Sequence, residues 1–300
     1  MRAREVRTAV FPVAGLGTRM LPMTRAVPKE MLPVVDRPLV QYAVEEAVAA
    51  GISGLVFVTD RSGPVLEAHF GPSDELAGKV ETGPGGEQLD AARALVPPGV
   101  RLSFVPQGGP FGLGHAVWCA REAVGDAPFA VVLPDDLMVP GCLADLVHAF
   151  HAEHAAGVVA VEEVPPEDTG RYGVVDVGGS SDPVSRIASI VEKPTPDEAP
   201  SNLAVVGRYV FDAPIMDLLE NTGPGAGGEI QLTDAIAELA ASEPVLASRF
   251  PGKRYDCGNR AGWLRATVAL ALAGARSSDR FPQDLESLLE NWRASVGAGP

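Results

Sequence analysis

Short apolar runs alternate with longer amphipathic segments through the first half of the chain. The runs are rich in Val, Leu, Phe and Ala, which is typical of strands buried on both faces. They predict four strands, at Thr8–Val13, Leu55–Thr59, Leu102–Pro106 and Phe129–Leu133. The segments between them predict helices at Gln41–Ala50, Val65–Phe70 and His115–Val124. This alternation predicts a doubly wound α/β core, in which ligands bind beyond the carboxyl ends of the strands.

The second half of the chain shows a different pattern. A predicted helix, Leu143–Ala156, is followed by shorter strand-like segments separated by turns, and then by helical segments. We predict strands at Val158–Val164, Val174–Val177, Ile187–Glu192 and Leu203–Phe211, and helices at Ala213–Glu220, Gln231–Ala241, Ala261–Ala273 and Gln283–Val296. The last helix is amphipathic and follows a short polar hinge, Arg276–Arg280. The Gly-rich segment Asp74–Glu87 is expected to form a mobile loop or an oligomer contact.

The composition is that of a globular protein with a large core. Hydrophobic residues make up 46% of the 300 residues, enough for one extended domain or two small ones. No apolar run approaches the length of a membrane span, and the first residues are not expected to serve as a signal peptide. The three cysteines, Cys119, Cys142 and Cys257, form no C-x-x-C motif and cannot all pair, which favours a reducing, cytoplasmic setting.

The formal net charge of −15 bears on the choice of partner. A protein that binds nucleic acid needs a basic surface to displace counterions, so this charge argues against a nucleic-acid partner. If the ligand is a small anion, cations close to it must outweigh the overall field. Salt screens charges beyond a Debye length, so these cations must lie within about 8–10 Å of the ligand at physiological salt.

Residues 13–33, VAGLGTRMLPMTRAVPKEMLP, form the most informative motif of the chain. The motif follows the first predicted strand and opens with small residues, including Gly15 and Gly17, that let backbone N–H groups approach a ligand closely. It then supplies Arg19 and Lys29 among prolines that stiffen an extended loop. Backbone N–H groups beside fixed cations are what a polyphosphate requires, so the motif predicts a nucleotide-triphosphate loop.

Two commoner glycine-rich loops fit this motif less well. A dinucleotide fingerprint, G-x-G-x-x-G, would need glycine in place of Met20, a helix directly afterwards, and an acidic residue nearer than Asp60. A Walker A loop would need a Gly-Lys-Ser/Thr sequence, which these residues lack. A hydride-transferring dinucleotide enzyme is therefore disfavoured, and a plain glycine turn is the simplest remaining alternative.

The sequence GLGTRMLP followed by PKEMLP resembles the signature region of the sugar-1-phosphate nucleotidylyltransferases. Later segments follow the same family in its order over nearly the whole chain, and the set is far more specific than any one of them. They are QGGPFGLGHA (107–116), LPDD (133–136), YGVVD (172–176), VEKP (191–194), SNLAVVGRYVF (201–211), GEIQLTDAI (228–236) and DCGN (256–259). The resemblance is strongest to the uridylyl branch, and it implies a Rossmann-like doubly wound mixed sheet with C-terminal helices.

The resemblance implies transfer of a uridylyl group from UTP to glucose 1-phosphate, with pyrophosphate as the leaving group. The attacking phosphate oxygen is already ionised at neutral pH, so catalysis depends on positioning and charge neutralisation and needs no general base. The family pattern assigns Mg²⁺ to Asp135 and Asp256. Asp136 is the rival of Asp135, and only one is expected to face the metal, since neighbouring side chains of a strand point opposite ways. The implied catalytic residues are Arg19, Lys29, Asp135 and Lys193.

The resemblance also implies two sets of binding residues. Those around the nucleotide are Ala14, Gly15, Gly17, Glu30, Gln107 and Gly112. Those around the sugar phosphate are Tyr172, Gly173, Glu192, Lys193, Val206 and Gly207. Gln107 carries donors and an acceptor suited to a pyrimidine edge. Glu192 and Lys193 are adjacent, so both can reach one ligand only if the strand ends or bulges there, which Pro194 favours.

The placement of lysine supports these roles. Of the 24 Lys and Arg residues four are lysines, at positions 29, 79, 193 and 253, and three of these lie in or beside the family segments. Lys is a compact point charge and Arg a planar fork, so an arginine-rich chain is expected to keep Lys where an ammonium group is required. The chain departs from the family pattern at Arg25, Pro106 and Phe111, which alters the cationic character expected near the triphosphate.

Several alternatives remain open at the level of sequence. The nearest is a relative that uses dTTP or another sugar 1-phosphate; one of another class is a non-catalytic nucleotide-sugar sensor. A sensor is expected to lack a key Asp or Lys, and all of them are present. His148, His151 and His154 share a predicted helical face, but a solvated face is favoured over a zinc site because no ligand cluster accompanies them.

The expected organisation is one catalytic domain, residues 1–275, followed by a helical tail, residues 276–300. Within the domain we expect a nucleotide half at about residues 1–140 and a sugar-binding half at about residues 141–260. Members of the family form dimers or tetramers, so a homodimer or homotetramer is expected.

Overall fold

The computed structural model describes residues 5–71, 95–275 and 279–297 of the chain. Within these residues a ten-stranded mixed sheet forms the centre, and two two-stranded ribbons lie beside it. The strands are β1 (Thr8–Pro12), β2 (Pro33–Val34), β3 (Arg37–Pro38), β4 (Gly54–Thr59), β5 (Arg101–Pro106), β6 (Phe129–Val132), β7 (Asp136–Val139), β8 (Gly157–Glu163), β9 (Gly173–Asp176), β10 (Val184–Arg186), β11 (Ser189–Glu192), β12 (Leu203–Phe211), β13 (Val245–Arg249) and β14 (Lys253–Asp256).

Strand β12 joins the two halves of the chain into one sheet. The strand order is β10-β13-β8-β12-β6-β1-β4-β5, and β9 and β11 extend the sheet from β12. β1 runs parallel to β4 and β6, and β5 runs parallel to β4. β12 is antiparallel to both β6 and β8. The predicted doubly wound, mixed α/β fold is therefore confirmed.

Helices cover both faces of this sheet. Their bounds are α1 (Leu39–Ala49), α2 (Gly63–Phe70), α3 (Leu113–Cys119), α4 (Arg121–Val124), α5 (Leu143–Ala152), α6 (Ile215–Asn221), α7 (Leu232–Ser242), α8 (Arg260–Gly274) and α9 (Phe281–Gly297). Two large apolar clusters form the core, one against each face. Val10 of β1 enters the cluster that contains Ile236 of α7, and Phe11 enters the cluster that contains Leu146 of α5. Successive strand residues thus bury opposite faces of the sheet.

Two predicted helices were wrong in extent. The helix predicted at His115–Val124 is two helices, α3 and α4, which meet at Ala120. The helix predicted at Leu143–Ala156 ends at Ala152. His154 has a φ of 49°, a left-handed conformation that a right-handed helix cannot contain. This residue therefore leaves the helical face that the three histidines were expected to share.

The ribbon of β7 and β14 was not predicted, although it shapes the functional end of the sheet. β7 begins just after the carboxyl end of β6 and pairs antiparallel with β14, with Asp136 opposite Asp256. The ribbon therefore brings the LPDD and DCGN segments side by side. Buried Leu137 and Cys257 pack with Ala266 of α8 in a third, smaller cluster, which holds the ribbon in place.

Some sequence predictions concern segments outside the described residues. The Gly-rich segment 74–87 lies outside them, as does most of the predicted hinge at 276–280. The division into a domain of residues 1–275 and a tail stays a prediction, although α9 agrees with the helix predicted at its position. Within the described ranges, no helix combines the length and the apolar character that crossing a membrane would require.

Candidate active site

A cavity of about 290 Å³ opens beyond the carboxyl end of β6. Its lining includes residues just after β6, at the start of β7 and in β14, together with residues of β11, β12 and the start of α7. Its charged lining residues are Arg19, Asp135, Asp136, Arg171, Glu192, Lys193, Glu229, Arg254 and Asp256. The cavity thus gathers predicted residues that are far apart in the sequence, at the sheet edge where α/β proteins bind ligands.

The glycine-rich loop is folded tightly around Lys29. Gly17 has a φ of 62°, and a Cβ there would lie 3.2 Å from side-chain carbons of both Lys29 and Thr24. The Thr24 hydroxyl donates to the Gly17 carbonyl at 2.7 Å. Gly17 is therefore required both for its left-handed backbone and for the close approach of Lys29.

Lys29 forms a short, largely buried ion pair with Asp135, which lines the cavity. The Lys29 Nζ donates to Asp135 Oδ2 at 2.5 Å, and each side chain is 20% exposed. Burial alone would lower the pKa of Lys29, but the Asp135 carboxylate outweighs it and raises that pKa. Burial would raise the pKa of Asp135, and the Lys29 ammonium in turn lowers it. Both groups are therefore charged at neutral pH.

Asp136, the rival of Asp135, has both carboxylate oxygens engaged by the protein. Arg254 donates to Oδ1 at 2.7 Å, and the Gly207 N–H donates to Oδ2 at 2.9 Å. Burial raises the pKa of Asp136 although Arg254 opposes this shift. A Cβ on Gly207 would lie 2.8 Å from Asp136 Oδ2, so the glycine is needed for this contact.

Asp256 approaches Asp135 from β14. A Cβ built on Gly258 would lie 3.0 Å from Asp135 Oδ2, 3.0 Å from Asp256 Oδ1 and 3.6 Å from Arg19 Nη2. Asp135, Asp256 and Arg19 therefore all lie beside Gly258. Both Asp256 oxygens accept hydrogen bonds from the protein, Oδ1 from the Gly258 N–H at 3.0 Å and Oδ2 from Asn259 at 2.9 Å. Arg171 donates to Asp256 Oδ2 at 2.7 Å, which orients this second carboxylate. Among the described residues, no group of three or more His, Cys, Asp and Glu side chains could hold a metal ion.

Glu192 and Lys193 line the same cavity. β11 ends at Glu192, and Lys193 has a φ of 48°, so the two adjacent side chains can both reach the cavity. The Lys193 Nζ lies 3.0 Å from Glu192 Oε1, and the Thr233 hydroxyl donates to Glu192 Oε2 at 2.6 Å. The strand end anticipated from the sequence is therefore present.

Three of the six residues expected around the nucleotide lie beside a second, smaller cavity, whereas Gly17, Gln107 and Gly112 are not among its lining residues. Ala14, Gly15 and Glu30 line it. Glu30 is 1% exposed, neither carboxylate oxygen has a hydrogen-bond partner among the described residues, and burial raises its pKa to about 7. Gln107 Nε2 donates to the Gly112 carbonyl at 3.0 Å, which joins the two ends of the 107–112 loop.

One expected site residue, Val206, does not reach the cavity with its side chain, and Phe111, which departs from the family pattern, lies largely at the surface. The side chain of Val206 is buried in the core, and the neighbouring Val205 and Gly207 line the cavity instead. A contact from Val206 would therefore have to come from its backbone. Phe111, one of the departures from the family pattern, is half exposed and packs edge-on against His115.

The cavity residues that were missed at the level of sequence include Arg171, Arg254 and Thr233. Arg171 and Arg254 both stack on the Tyr172 ring, with their guanidinium carbons 5.4 and 4.9 Å from its centroid. The arginines carried no signal because arginine is the chain's usual cation. Thr233 stands in the GEIQLTDAI segment, to which the resemblance assigned no site residue.

The chain belongs to the nucleotidyl transferase family, whose model matches residues 9–271. The UTP–glucose-1-phosphate uridylyltransferase of Escherichia coli (strain K12) is 48% identical over 295 residues, which cover 94% of this chain and 96% of that relative. Among solved structures, a UTP-bound UGPase from Acinetobacter baumannii is 42% identical with a TM-score of 0.87, covering 94% of this chain and 99% of the other. A UDP-glucose pyrophosphorylase complexed with UDP-glucose is 39% identical with a TM-score of 0.81, covering 89% of this chain and 99% of the other.

Proposed function

We propose that this chain transfers the uridylyl group of UTP to glucose 1-phosphate and so forms UDP-glucose and pyrophosphate. The relatives named for this reaction align along nearly their whole length. The observation that carries the proposal is one cavity lined by Asp135 and Asp256 together with Glu192 and Lys193, with Lys29 bound to Asp135 at 2.5 Å. The group that contains Lys29 suits a triphosphate, and the group that contains Lys193 suits a sugar phosphate.

In the proposed reaction a phosphate oxygen of glucose 1-phosphate attacks the α-phosphorus of UTP, and the bond to pyrophosphate breaks. The nucleophile is already an anion, so the chain's part is to align the two substrates and to neutralise charge. Lys193 holds the incoming phosphate. Arg19 and Lys29 hold the triphosphate and then the leaving pyrophosphate. Glu192 accepts hydrogen bonds from the sugar hydroxyls.

We propose Mg²⁺ as the metal, held by Asp135 and Asp256. The fit rests on two carboxylates, Asp135 and Asp256, that line the same cavity and both lie beside Gly258. Mg²⁺ is commonly bound by one or two carboxylates together with substrate phosphates and water, so a pair of aspartates suffices. When bound, the ion would neutralise charge on the phosphate oxygens of the substrate.

The charge of the cavity lining supports a need for this cation. Its cationic residues are Arg19, Arg171, Lys193 and Arg254, whereas its carboxylates are Asp135, Asp136, Glu192, Glu229 and Asp256. Most of these cations are already paired with carboxylates of the protein. Two anionic substrates therefore meet no excess of positive charge, and a divalent ion would supply it.

We further propose a homodimer or homotetramer in the cytoplasm. Large apolar side chains on α9 support an assembly, since Leu288 is 65% exposed and Trp292 60% exposed. Cys119, Cys142 and Cys257 are free thiols, which supports a reducing setting.

A substrate matrix tests the proposed function. Pyrophosphate release is measured with UTP, dUTP, dTTP and ATP, each combined with glucose 1-phosphate or galactose 1-phosphate. UTP with glucose 1-phosphate should give the highest kcat/KM. If dTTP matched UTP, the thymidylyl alternative would replace the uridylyl one. Nucleotide binding without pyrophosphate release from any pair would favour a sensor.

A further inference from the structure

The GEIQLTDAI segment places a hydroxyl beside Glu192, one of the predicted sugar-binding residues. Its Thr233 is the second residue of α7 and lines the cavity together with Gln231. The hydroxyl does not cap the helix, because the cap position is Gln231 and no side chain bonds to the helix end there. Its hydrogen bond goes instead to Glu192 on β11, at 2.6 Å.

The two oxygens of Glu192 have partners of different kinds. Oε1 faces the ammonium of Lys193, whose side chain is 45% exposed and long enough to turn toward a phosphate. Oε2 accepts from Thr233, a β-branched residue with a stiff χ1 that is anchored in the first turn of a helix. When a sugar phosphate draws Lys193 away, Thr233 remains as the fixed partner of the carboxylate.

The backbone around this contact leaves room for the pair. A Cβ on Gly173 would lie 2.9 Å from Thr233 Oγ1 and 3.3 Å from Glu192 Oε2. Glycine at this position therefore allows the hydroxyl and the carboxylate to meet beneath β9. The Glu192 side chain is only 12% exposed, so little water competes for the hydrogen bond.

We propose that Thr233 is a positioning residue that fixes the Glu192 carboxylate so that its free lone pairs face the sugar hydroxyls. This inference rests on the proposed function, because it assumes that Glu192 contacts the sugar. Thr233 itself need not touch the substrate. Replacing Thr233 should therefore weaken the binding of the sugar part of a ligand and leave the binding of the nucleotide part unchanged.

Binding of UDP-glucose and of UDP to the full chain separates these parts, since the two ligands differ by the glucose. Titration calorimetry with Mg²⁺ present should show that Thr233→Val weakens UDP-glucose about 10-fold, the scale of one hydrogen bond to a charged group, and leaves UDP unchanged. Thr233→Ser keeps the donor and should bind UDP-glucose within about twofold of the wild type. Thr222→Val is the matched control, because Thr222 donates to the Leu218 carbonyl at 2.8 Å within a helix end.

A double-mutant cycle then tests the route through Glu192. In a Glu192→Ala background, Thr233→Val should cost UDP-glucose affinity little further, because the carboxylate that it positions is gone. The same 10-fold loss in both backgrounds, or an equal loss for UDP, would overturn the inference and leave Thr233 a packing residue. If the wild type bound UDP but not UDP-glucose, the proposed function itself would fail.

Discussion

Arg254 connects two strands and the cavity through largely buried charges. Its guanidinium donates to Asp136 at 2.7 Å and to Glu162 at 2.5 Å, and its side chain is 6% exposed. Replacing it with methionine keeps much of the volume but removes the charge. The two carboxylates respond differently, since Glu162 is 25% exposed and can be rehydrated whereas Asp136 is 12% exposed. Asp136 should therefore carry most of the cost.

The loss of unfolding free energy depends on whether Asp136 stays charged or takes up a proton. Leaving a buried charge without its partner destabilises a protein by about 3–5 kcal/mol. Asp136 can avoid this by taking up a proton, which for an ordinary pKa of about 3.9 costs about 4 kcal/mol at pH 7 and about 1.5 kcal/mol at pH 5. We therefore expect Arg254→Met to lose about 3–4 kcal/mol of unfolding free energy at pH 7 and about 1.5–2 kcal/mol at pH 5.

The direction of this pH effect comes from the proton on Asp136. Burial already raises the pKa of Asp136, and loss of Arg254 raises it further. The folded variant then holds a proton that the unfolded chain releases, so its stability rises as the pH falls. Urea unfolding followed by tryptophan fluorescence at pH 7 and pH 5 measures both values.

The control is Arg249→Met, which removes a more exposed pair with Glu163 at 3.1 Å and should cost about 0–1 kcal/mol. A loss below about 1 kcal/mol for Arg254→Met at pH 7 would refute the reasoning, because a surface pair costs no more. An equal loss at the two pH values would show that protonation of Asp136 does not relieve the unpaired charge.

Three further predictions concern the reaction. Asp135→Asn and Asp256→Asn should each lower kcat by about 10²-fold or more, which is the scale of losing one preorganised electrostatic group. Excess EDTA should abolish turnover. Full activity of either variant, or of the wild type in EDTA, would remove the metal assignment. Lys193→Arg keeps the charge but changes its shape, so KM for glucose 1-phosphate should rise while KM for UTP holds, and an equal rise for both would place Lys193 elsewhere. UTP should be preferred over dTTP mainly through the ribose hydroxyl, so dUTP should be nearly as poor as dTTP; a dUTP value close to UTP would assign the discrimination to the methyl group.

The predictable parts of the fold are those whose sequence signals lie within a short stretch of neighbouring residues. β1, β4 and β6 are buried apolar runs, and the glycine-rich loop carries its own composition. β5 was also predicted as a buried strand, but it lies at the end of the described strand order and its residues are only partly buried or exposed. The strand end at Glu192 could be argued from Pro194 because the constraint is local. The placement of Asp135 just beyond β6 followed from the LPDD segment in the same way.

The parts that were not predictable depend on long-range pairing. β7 and β14 are four-residue strands more than a hundred residues apart in the chain, and neither has an alternating pattern of its own. The hydrogen bond from Thr233 to Glu192 spans 41 residues and joins a helix start to a strand end. Val206 shows the limit of carrying roles over from a family segment, since the sequence does not state which face of β12 meets the cavity.

The central claim is that this chain joins the uridylyl group of UTP to glucose 1-phosphate, and phosphorus NMR of the reaction tests it directly. With wild-type protein and Mg²⁺, UDP-glucose and pyrophosphate should appear in equal amounts as both substrates disappear. The Asp256→Asn variant should give the same products about 10²-fold more slowly or not at all. Bound UTP with no pyrophosphate formed, or pyrophosphate without UDP-glucose, would contradict the claim.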